Sequence, residues 1–521
     1  MGAGGSATHL AARQPVLARV RTAALAGLEA VLVFAEVDVA DGLPGLTIVG
    51  LPDITVRESR DRVRTAIRNS GFDYPPTRIT VNLAPADVRK VGAGFDLPIA
   101  LGVLAAGGAL TGRVLDDVLV VGELSLDGGI QAARGVLPAV VAAHRGGIRR
   151  VIVPTANAAE AAIVPDAAVV AVDTLDQVVA AIRDPASVAA WTPPAGDTGS
   201  GATAGPDLAD VDGQPLARRA LEIAAAGGHH LLLSGPPGCG KTMLARRLPG
   251  LLPDLDLDAA IDVTAIHSVA GLLAPGAGLL RARPFRAPHH TISDAALVGG
   301  GSVPRPGEIT LAHHGVLFLD ELPEFTRRAL EVLRQPLEEG TVSIARAART
   351  ATFPARFQLV AAMNPCPCGF AGHPRRVCRC TPAAAQQYAA RLSGPLRDRI
   401  DLSADLPAVP VAALTVDQGH QETTAQVRAR VVEARARQAS RYAGREARSR
   451  VNGALTGRDI RRQCALTAAA RRLVTQAADR LGLSARAHDR VLRVARTIAD
   501  LDGRDGVSEV HVAEALQFRG F

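Results

Sequence analysis

Residues 235–242 read GPPGCGKT, an octet suited to wrapping backbone N–H groups around phosphate oxygens. Gly235, Gly238 and Gly240 leave room for the backbone to approach an anion, with Pro236, Pro237 and Cys239 between them. Lys241 would reach the β and γ phosphates of a nucleotide, and Thr242 would offer its hydroxyl to magnesium. The context matters as much as the octet: an apolar run at 230–233 reads as a buried strand immediately before it, and a helical pattern follows, pointing its positive end at the phosphates. Of 58 Lys and Arg residues, only Lys90 and Lys241 are lysines. A chain that uses arginine almost everywhere keeps lysine here, where a compact ammonium fits between phosphates and a planar guanidinium does not.

Four apolar residues at 316–319 run into Asp320 and Glu321. A buried strand ending in two carboxylates provides a magnesium ligand, Asp320, acting directly or through water, and a general base, Glu321, for the attacking water. Asn364 directly follows another apolar run at 359–363 and is placed to orient that same water. Together these residues predict ATP and Mg2+ as ligands.

Four of the six cysteines fall within fifteen residues: Cys366, Cys368, Cys378 and Cys380, in the spacing C-x-C-x9-C-x-C, with His373 between them. Two C-x-C arms could close a tetrahedral zinc site, although two to four intervening residues are the commoner spacing. Reduced structural thiols and a redox disulfide are the other readings. Cys239 and Cys464 read as small core fillers, with reactivity of Cys239 the lesser reading. The pairs beginning at His229, His289 and His313 read as packed or hydrogen-bonded rather than metal-binding.

The elements that must position these groups follow from composition and pattern. The chain has 521 residues, of which 48% are hydrophobic and only 3% aromatic. Such a chain supports several aliphatic cores and excludes disorder over most of its length. Few aromatics also argue against base stacking as a main mode of nucleic-acid contact. Short β-branched runs at 31–39, 79–83, 118–121, 151–153 and 169–172 alternate with Ala-rich helical stretches, which predicts an α/β or α+β domain over 19–185 after a flexible start at 1–18. A Pro-, Gly-, Ser- and Thr-rich stretch at 186–206 reads as a linker. An α/β unit with a parallel sheet follows over 207–410, and 411–521 reads as a helical lid. From Gln421 to the end, twenty Arg face eleven Asp and Glu, whereas the net charge of the whole chain is +7. That imbalance suits a polyanionic partner or a solvated helical face. The longest apolar stretch, 97–110, is too short to span a bilayer and reads as a buried element. Neither a secretory signal nor a membrane span is evident, and six cysteines make no disulfide scaffold, so a cytoplasmic protein is expected.

Residues 339–354, EGTVSIARAARTATFP, form two alternating runs around an Ala-Ala pair flanked by Arg346 and Arg349. They read as a β-hairpin with a basic tip, either gripping a phosphate backbone or simply solvated.

At the level of the whole chain, the sequence resembles the AAA+ ATPases, and more closely their magnesium-chelatase-like YifB/ComM family. The resemblance is carried by DLADVDGQ at 207–214, the phosphate loop, RPFRAPHH at 283–290, ALVGGGSVPRPGEITLAHHGVLFLDELPEF at 296–325, 364–369, LSGPLRDRIDL at 392–402 and LSARAHDRVLRVARTIADL at 483–501. It implies an AAA+ three-layer core with a C-terminal helical lid, assembled as a homo-oligomeric ring, a hexamer, with ATP at subunit interfaces. It further implies Arg399 as an arginine finger and Arg486 as the sensor arginine of the lid. Arg397 stands where relatives often carry Leu, so a second guanidinium competes for the finger role. In relatives with an insertion at 339–354, the hairpin projects into the ring's pore, where moving arginines would pull DNA.

The first domain resembles the Lon-protease-like domain of the same family, including KVGAGFDLPIA at 90–100. A Ser–Lys protease needs a serine in that loop and a lysine base. Gly92, Ala93 and Gly94 occupy the loop, no lysine lies between Val91 and Cys239, and Ser70 and Ser125 have no companion lysine in sequence. Binding or assembly is therefore expected of this domain, not proteolysis. Two functions stand after this reading: an ATP-driven DNA motor of the branch-migration type, acting in recombination or natural transformation, or a protein-remodelling or chelatase-type ATPase subunit acting on a protein partner.

Overall fold

A computed structural model describes residues 17–110, 115–186, 188–193, 205–301, 304–346, 349–408, 421–444 and 450–519. By contacts the chain divides into two units, Met1–Ser200 with Ala260–Leu280, and Gly201–Ala259 with Arg281–Phe521.

The first unit is built on a mixed seven-stranded sheet in the order Gly45–Val49, Arg78–Ala84, Glu29–Ala40, Ala18–Ala26, Val118–Val120, Arg150–Pro154, Ala168–Val172. Ala18–Ala26 and Glu29–Ala40 pair antiparallel through a tight turn, and Val118–Val120 begins a parallel half. The apolar stretch expected to be buried forms the helix Asp96–Ala106, inaccessible on every side except at its last residue. Gly102 allows that helix to touch the sheet, since a Cβ there would come within 2.4 Å of Val37 Cγ2. Buried Asp96 is held by Arg62 Nε at 2.7 Å and by the Ser59 hydroxyl.

The sequence division placed Ala260–Leu280 inside the ATPase stretch, whereas contacts group it with the first unit. The reason is a polar knot. The buried carboxylate of Glu160 accepts from Leu137 N at 2.7 Å, Asn157 Nδ2 at 2.9 Å and the Ser268 hydroxyl, while Gly135 N donates to Ser268 O and Gly276 N to Ala156 O. A buried carboxylate requires such partners, and the linear pattern does not show where they come from.

In the second unit five strands lie parallel in the order Phe285–Arg286, Val316–Leu319, Gln358–Met363, Leu231–Ser234, Leu402–Asp405. Val316–Leu319 and Gln358–Met363 are buried on both faces, as parallel strands covered by helices require. The helices Pro215–Gly227, Thr424–Arg441 and Ala485–Leu501 share one continuous aliphatic core with this sheet, from Leu231 and Val316 to Val431, Ile498 and Phe518. Fully buried Arg496 is neutralised by Asp500, which also pairs with Arg441 and accepts from Asn452. No helix among the described residues is long and apolar enough to cross a membrane.

Candidate nucleotide site

The functional residues of the second unit converge because parallel strands end at one edge. Leu231–Ser234 runs into the phosphate loop, Val316–Leu319 into Asp320 and Glu321, and Gln358–Met363 into Asn364. Leu233 stands opposite Ala362 and Leu319 opposite Ala361, so the three loops leave the sheet side by side.

Within the loop, Gly238 and Gly240 hold φ of 79° and 95°, which an L side chain resists. Gly235 has no space for a side chain, since a Cβ would lie 2.5 Å from Leu406 O and 2.8 Å from Cys239 Sγ. The helix that follows is short, Lys241–Ala245, with a further turn at Leu248–Leu251. Lys241 Nζ donates to Gly235 O at 2.6 Å, Pro236 O at 3.0 Å and Asn364 Oδ1 at 3.1 Å. The ammonium is thus folded onto its own loop and onto Asn364, contacts a phosphate could replace. Thr242 Oγ1 donates to Asp320 Oδ2 at 2.6 Å, so the hydroxyl and the carboxylate expected to meet at magnesium already touch. Burial pushes the Cys239 thiol up, against the attraction of Lys241. Cys239 is therefore a packed thiol rather than a reactive one.

Glu321 is exposed and sits at φ 52°, a left-handed conformation uncommon for a residue with a side chain. His290 Nδ1 lies 3.1 Å from its Oε2. The contact fits the expectation that the pair at 289–290 packs or hydrogen-bonds, but the sequence does not name Glu321 as the partner. The signal lies in RPFRAPHH at 283–290, which contains the strand Phe285–Arg286, a neighbour of Val316–Leu319, and carries His290 four residues beyond that strand's end. Gln214 was missed. Its Nε2 donates to Cys239 O at 3.2 Å and Pro407 O at 2.7 Å, tying the phosphate loop to the end of Leu402–Asp405. Of the other pairs, His229 bonds Asp401 and Thr497, and His313 Nδ1 accepts from Arg356 N.

Arg399 does not reach the phosphate loop of its own chain. Its guanidinium pairs with Glu338 and donates to Pro395 O. Arg397 is exposed nearby. Arg490 anchors this segment by donating to Ile400 O at 2.8 Å and Arg397 O at 3.1 Å. Arg486 lies exposed in the first turn of Ala485–Leu501, and no hydrogen bond or ion pair holds it among the described residues. Thr341–Arg346 and Arg349–Pro354 form the expected antiparallel hairpin, with Arg346 opposite Arg349. Its base is fixed by buried Val342, Ile344 and Phe353, and residues 347–348 at the tip lie outside the described residues.

The four clustered cysteines also converge. Their sulfurs lie within 4.8 Å of one another, and all four thiols are unpaired by any disulfide. Backbone N–H groups of Phe370 and Arg379 draw the Cys368 thiol down, while contact with Cys368 pushes the Cys378 and Cys380 thiols up. His373 is not part of this group; its Nδ1 accepts from Arg375 N and Arg376 N.

In the first unit, Lys90 is buried with its ammonium on the Pro85 carbonyl, and Ser125 Oγ closes a turn on Asp127 and Gly129. These contacts do not make a nucleophile and base pair.

A parallel five-stranded core with a phosphate loop, a strand-end Asp-Glu pair and a packed helical region defines an AAA+ ATPase. The chain belongs to the magnesium-chelatase-like YifB/ComM family of that class, and family membership implies ATP and Mg2+ as its ligands. The family model for magnesium chelatase, subunit ChlI, matches residues 207–414, that for subunit ChlI of Mg-chelatase 35–157, and that for the ChlI C-terminal region 421–519. The chain is 46% identical over 504 residues to YifB of Salmonella typhimurium, covering 96% of this chain and 97% of that one. It is also 46% identical over 508 residues to the competence protein ComM of Haemophilus influenzae, covering 96% and 97%. Two shorter matches are a Lon protease of Chloroflexus aurantiacus, 31% identical over 170 residues (30% of this chain, 20% of that one), and the Holliday junction branch migration complex subunit RuvB of Mycolicibacterium smegmatis, 28% identical over 206 residues (38% and 44%).

Proposed function

We propose that this protein is a cytoplasmic ATP-driven motor that moves DNA, of the branch-migration type, working as a homo-oligomeric ring, a hexamer. The carrying observation is the hairpin Thr341–Arg346 with Arg349–Pro354, which places Arg346 and Arg349 opposite each other at the end of a ribbon whose base lies on the chain between Glu321 and Asn364. Two arginines at paired positions near the end of a ribbon suit a phosphate backbone, gripped without reading sequence. Likeness to a competence protein and to a branch-migration subunit supports the reading.

In this reading Lys241 binds the β and γ phosphates, and Thr242 and Asp320 hold the magnesium, which neutralises charge on the phosphates. Glu321 takes a proton from the attacking water, Asn364 orients that water, and Arg399 and Arg486 complete the charge around the γ-phosphate, Arg399 from the neighbouring subunit. Cys366, Cys368, Cys378 and Cys380 hold a structural zinc ion, a reading supported by four convergent sulfurs with no disulfide among them.

The test is ATP turnover with and without single-stranded and forked DNA, at low and high salt. Stimulation by DNA that weakens with salt and disappears in an R346A/R349A variant is expected. The second reading, a chelatase-type or remodelling subunit, draws on the three magnesium chelatase family matches. A turnover indifferent to DNA, together with a co-purifying protein partner, would establish that reading instead.

A further inference from the structure

The four clustered cysteines lie beside the phosphate loop. Gln358–Met363 delivers Asn364, and Cys366 follows two residues later as a fully buried thiol. From Asn364 to the cap of the helix Pro382–Ala390 the chain has no regular element. Loops of this length inside a compact domain need some other source of order. The sulfur separations indicate what that source is: 3.4 Å between Cys366 and Cys368, and 3.6 Å from each of these to Cys378. Four thiolates around zinc, with Zn–S near 2.3 Å, stand about 3.8 Å apart. Backbone N–H groups aim at the same sulfurs, from Ala371 to Cys366, Cys368 to Cys380 and Cys380 to Cys378, at 3.3 to 3.4 Å. Such bonds orient metal-bound thiolates.

The loop between the two arms approaches the nucleotide site at Gly369. Gly369, at φ 81° and hydrogen-bonded to Cys366 O, packs so closely on the phosphate loop that a Cβ would lie 2.7 Å from Pro237 Cδ and 3.9 Å from Asn364 Cγ. Asn364 in turn accepts from Lys241 Nζ at 3.1 Å.

Building on the zinc reading above, we infer that zinc in this site acts as a clamp on ATP turnover: by joining the C-x-C arm after Asn364 to the arm before Pro382–Ala390, it presses Gly369 onto Pro237 and holds the Asn364 amide in place beside Lys241. Asn364 is positioned by the metal; the metal takes no part in phosphoryl transfer. Loss of zinc lowers kcat while the phosphate loop, built from its own strand, still binds nucleotide.

The experiment uses the full chain. Zinc per chain is measured by plasma mass spectrometry, nucleotide affinity by a fluorescent ATP analogue, and kcat and KM by steady-state turnover, for wild type, Cys378→Ser, Cys378→His and Gly369→Ala. One zinc per wild-type chain is expected. Cys378→Ser should lose zinc and lower kcat by about tenfold or more, with nucleotide affinity held within about threefold, and Cys378→His, which keeps four ligands, should restore both zinc and kcat. Gly369→Ala should retain zinc and still lower kcat, because the clamp's face is spoiled rather than its metal. If Cys378→Ser does not fold, Cys378→His and Gly369→Ala still decide the matter. Wild-type protein without any metal overturns the site itself. Zinc-loaded Gly369→Ala with wild-type kcat, or zinc-free Cys378→Ser with wild-type kcat, overturns the clamp and leaves the zinc site standing.

Discussion

His290 Nδ1 stands 3.1 Å from Glu321 Oε2, and the contact exists because Phe285–Arg286 and Val316–Leu319 are neighbouring parallel strands whose ends open on the same edge. The imidazole is itself held between rings, tilted by 34° against His289 at 4.1 Å and edge-on to Phe325 at 6.5 Å. A carboxylate on a left-handed residue, held by a fixed ring, has little freedom to choose its direction. Glu321→Gln should reduce turnover by about 10²- to 10⁴-fold. His290→Ala should reduce it by about tenfold with unchanged nucleotide affinity, because orientation is lost but the base remains. Single-turnover hydrolysis separates these effects from product release, and a His290→Ala rate equal to wild type would remove His290 from the site.

Thr242 and Asp320 are joined at 2.6 Å, and Lys241 is folded onto Gly235, Pro236 and Asn364. Lys241→Ala should therefore abolish nucleotide binding, measured by titration calorimetry. Asp320→Asn should instead retain nucleotide binding while raising the magnesium concentration needed for half-maximal turnover. An Asp320→Asn protein with an unaltered magnesium requirement contradicts the assignment of that carboxylate.

The ion pair between Arg399 and Glu338 keeps the proposed finger on its own chain, so engagement across an interface requires exchanging Glu338 for a phosphate. Arg399→Ala should lower turnover by about 10³-fold or more and spare nucleotide binding. Glu338→Ala releases the arginine and should leave turnover intact or raise it. Arg397→Ala serves as the comparison: if that variant, and not Arg399→Ala, is inactive, the finger is Arg397.

Two histidines predict how the second unit responds to acid. Leu359 N donates to His230 Nδ1 at 3.0 Å and Arg356 N to His313 Nδ1 at 2.9 Å, so each ring must keep a lone pair there. Burial, foremost, lowers His230 to about 4 and His313 to about 2. An unfolded imidazole titrates near 6.5, so between pH ~6.5 and those values only the unfolded chain takes up protons. Stability complete at neutral pH should be lost progressively from about pH 6.5 down to about 4 for His230, and further down for His313. The melting temperature should drop by several degrees between pH 7.5 and pH 5.0, and a flat profile over that range would show that the rings are not held neutral.

Much of the site could be read from the chain because its parts are local. The glycines and lysine of the phosphate loop act through their own backbone, and an apolar run ending in Asp320 and Glu321 announces a strand end without reference to anything else. The strands at 316–319, at 358–363 and through most of the first sheet follow from β-branched and apolar runs, whose period reflects burial on one or both faces. What the linear pattern left undetermined is which strand lies beside which. His290 meets Glu321, and Gln214 meets Cys239 and Pro407, only through sheet order.

The sequence by itself determined the local pattern: a glycine-rich loop of the phosphate-binding type, a carboxylate pair and an asparagine at strand ends, four thiols and a hairpin with basic ends, because each depends on residue types within a few positions of one another. The tertiary structure alone decided that Ala260–Leu280 joins the first unit through Ser268 and Glu160, that Arg399 rests on Glu338, and that Gly369 bears on Pro237. Such contacts join groups far apart along the chain. Their existence depends on close packing and on finding partners for buried charge, which no spacing of residues encodes.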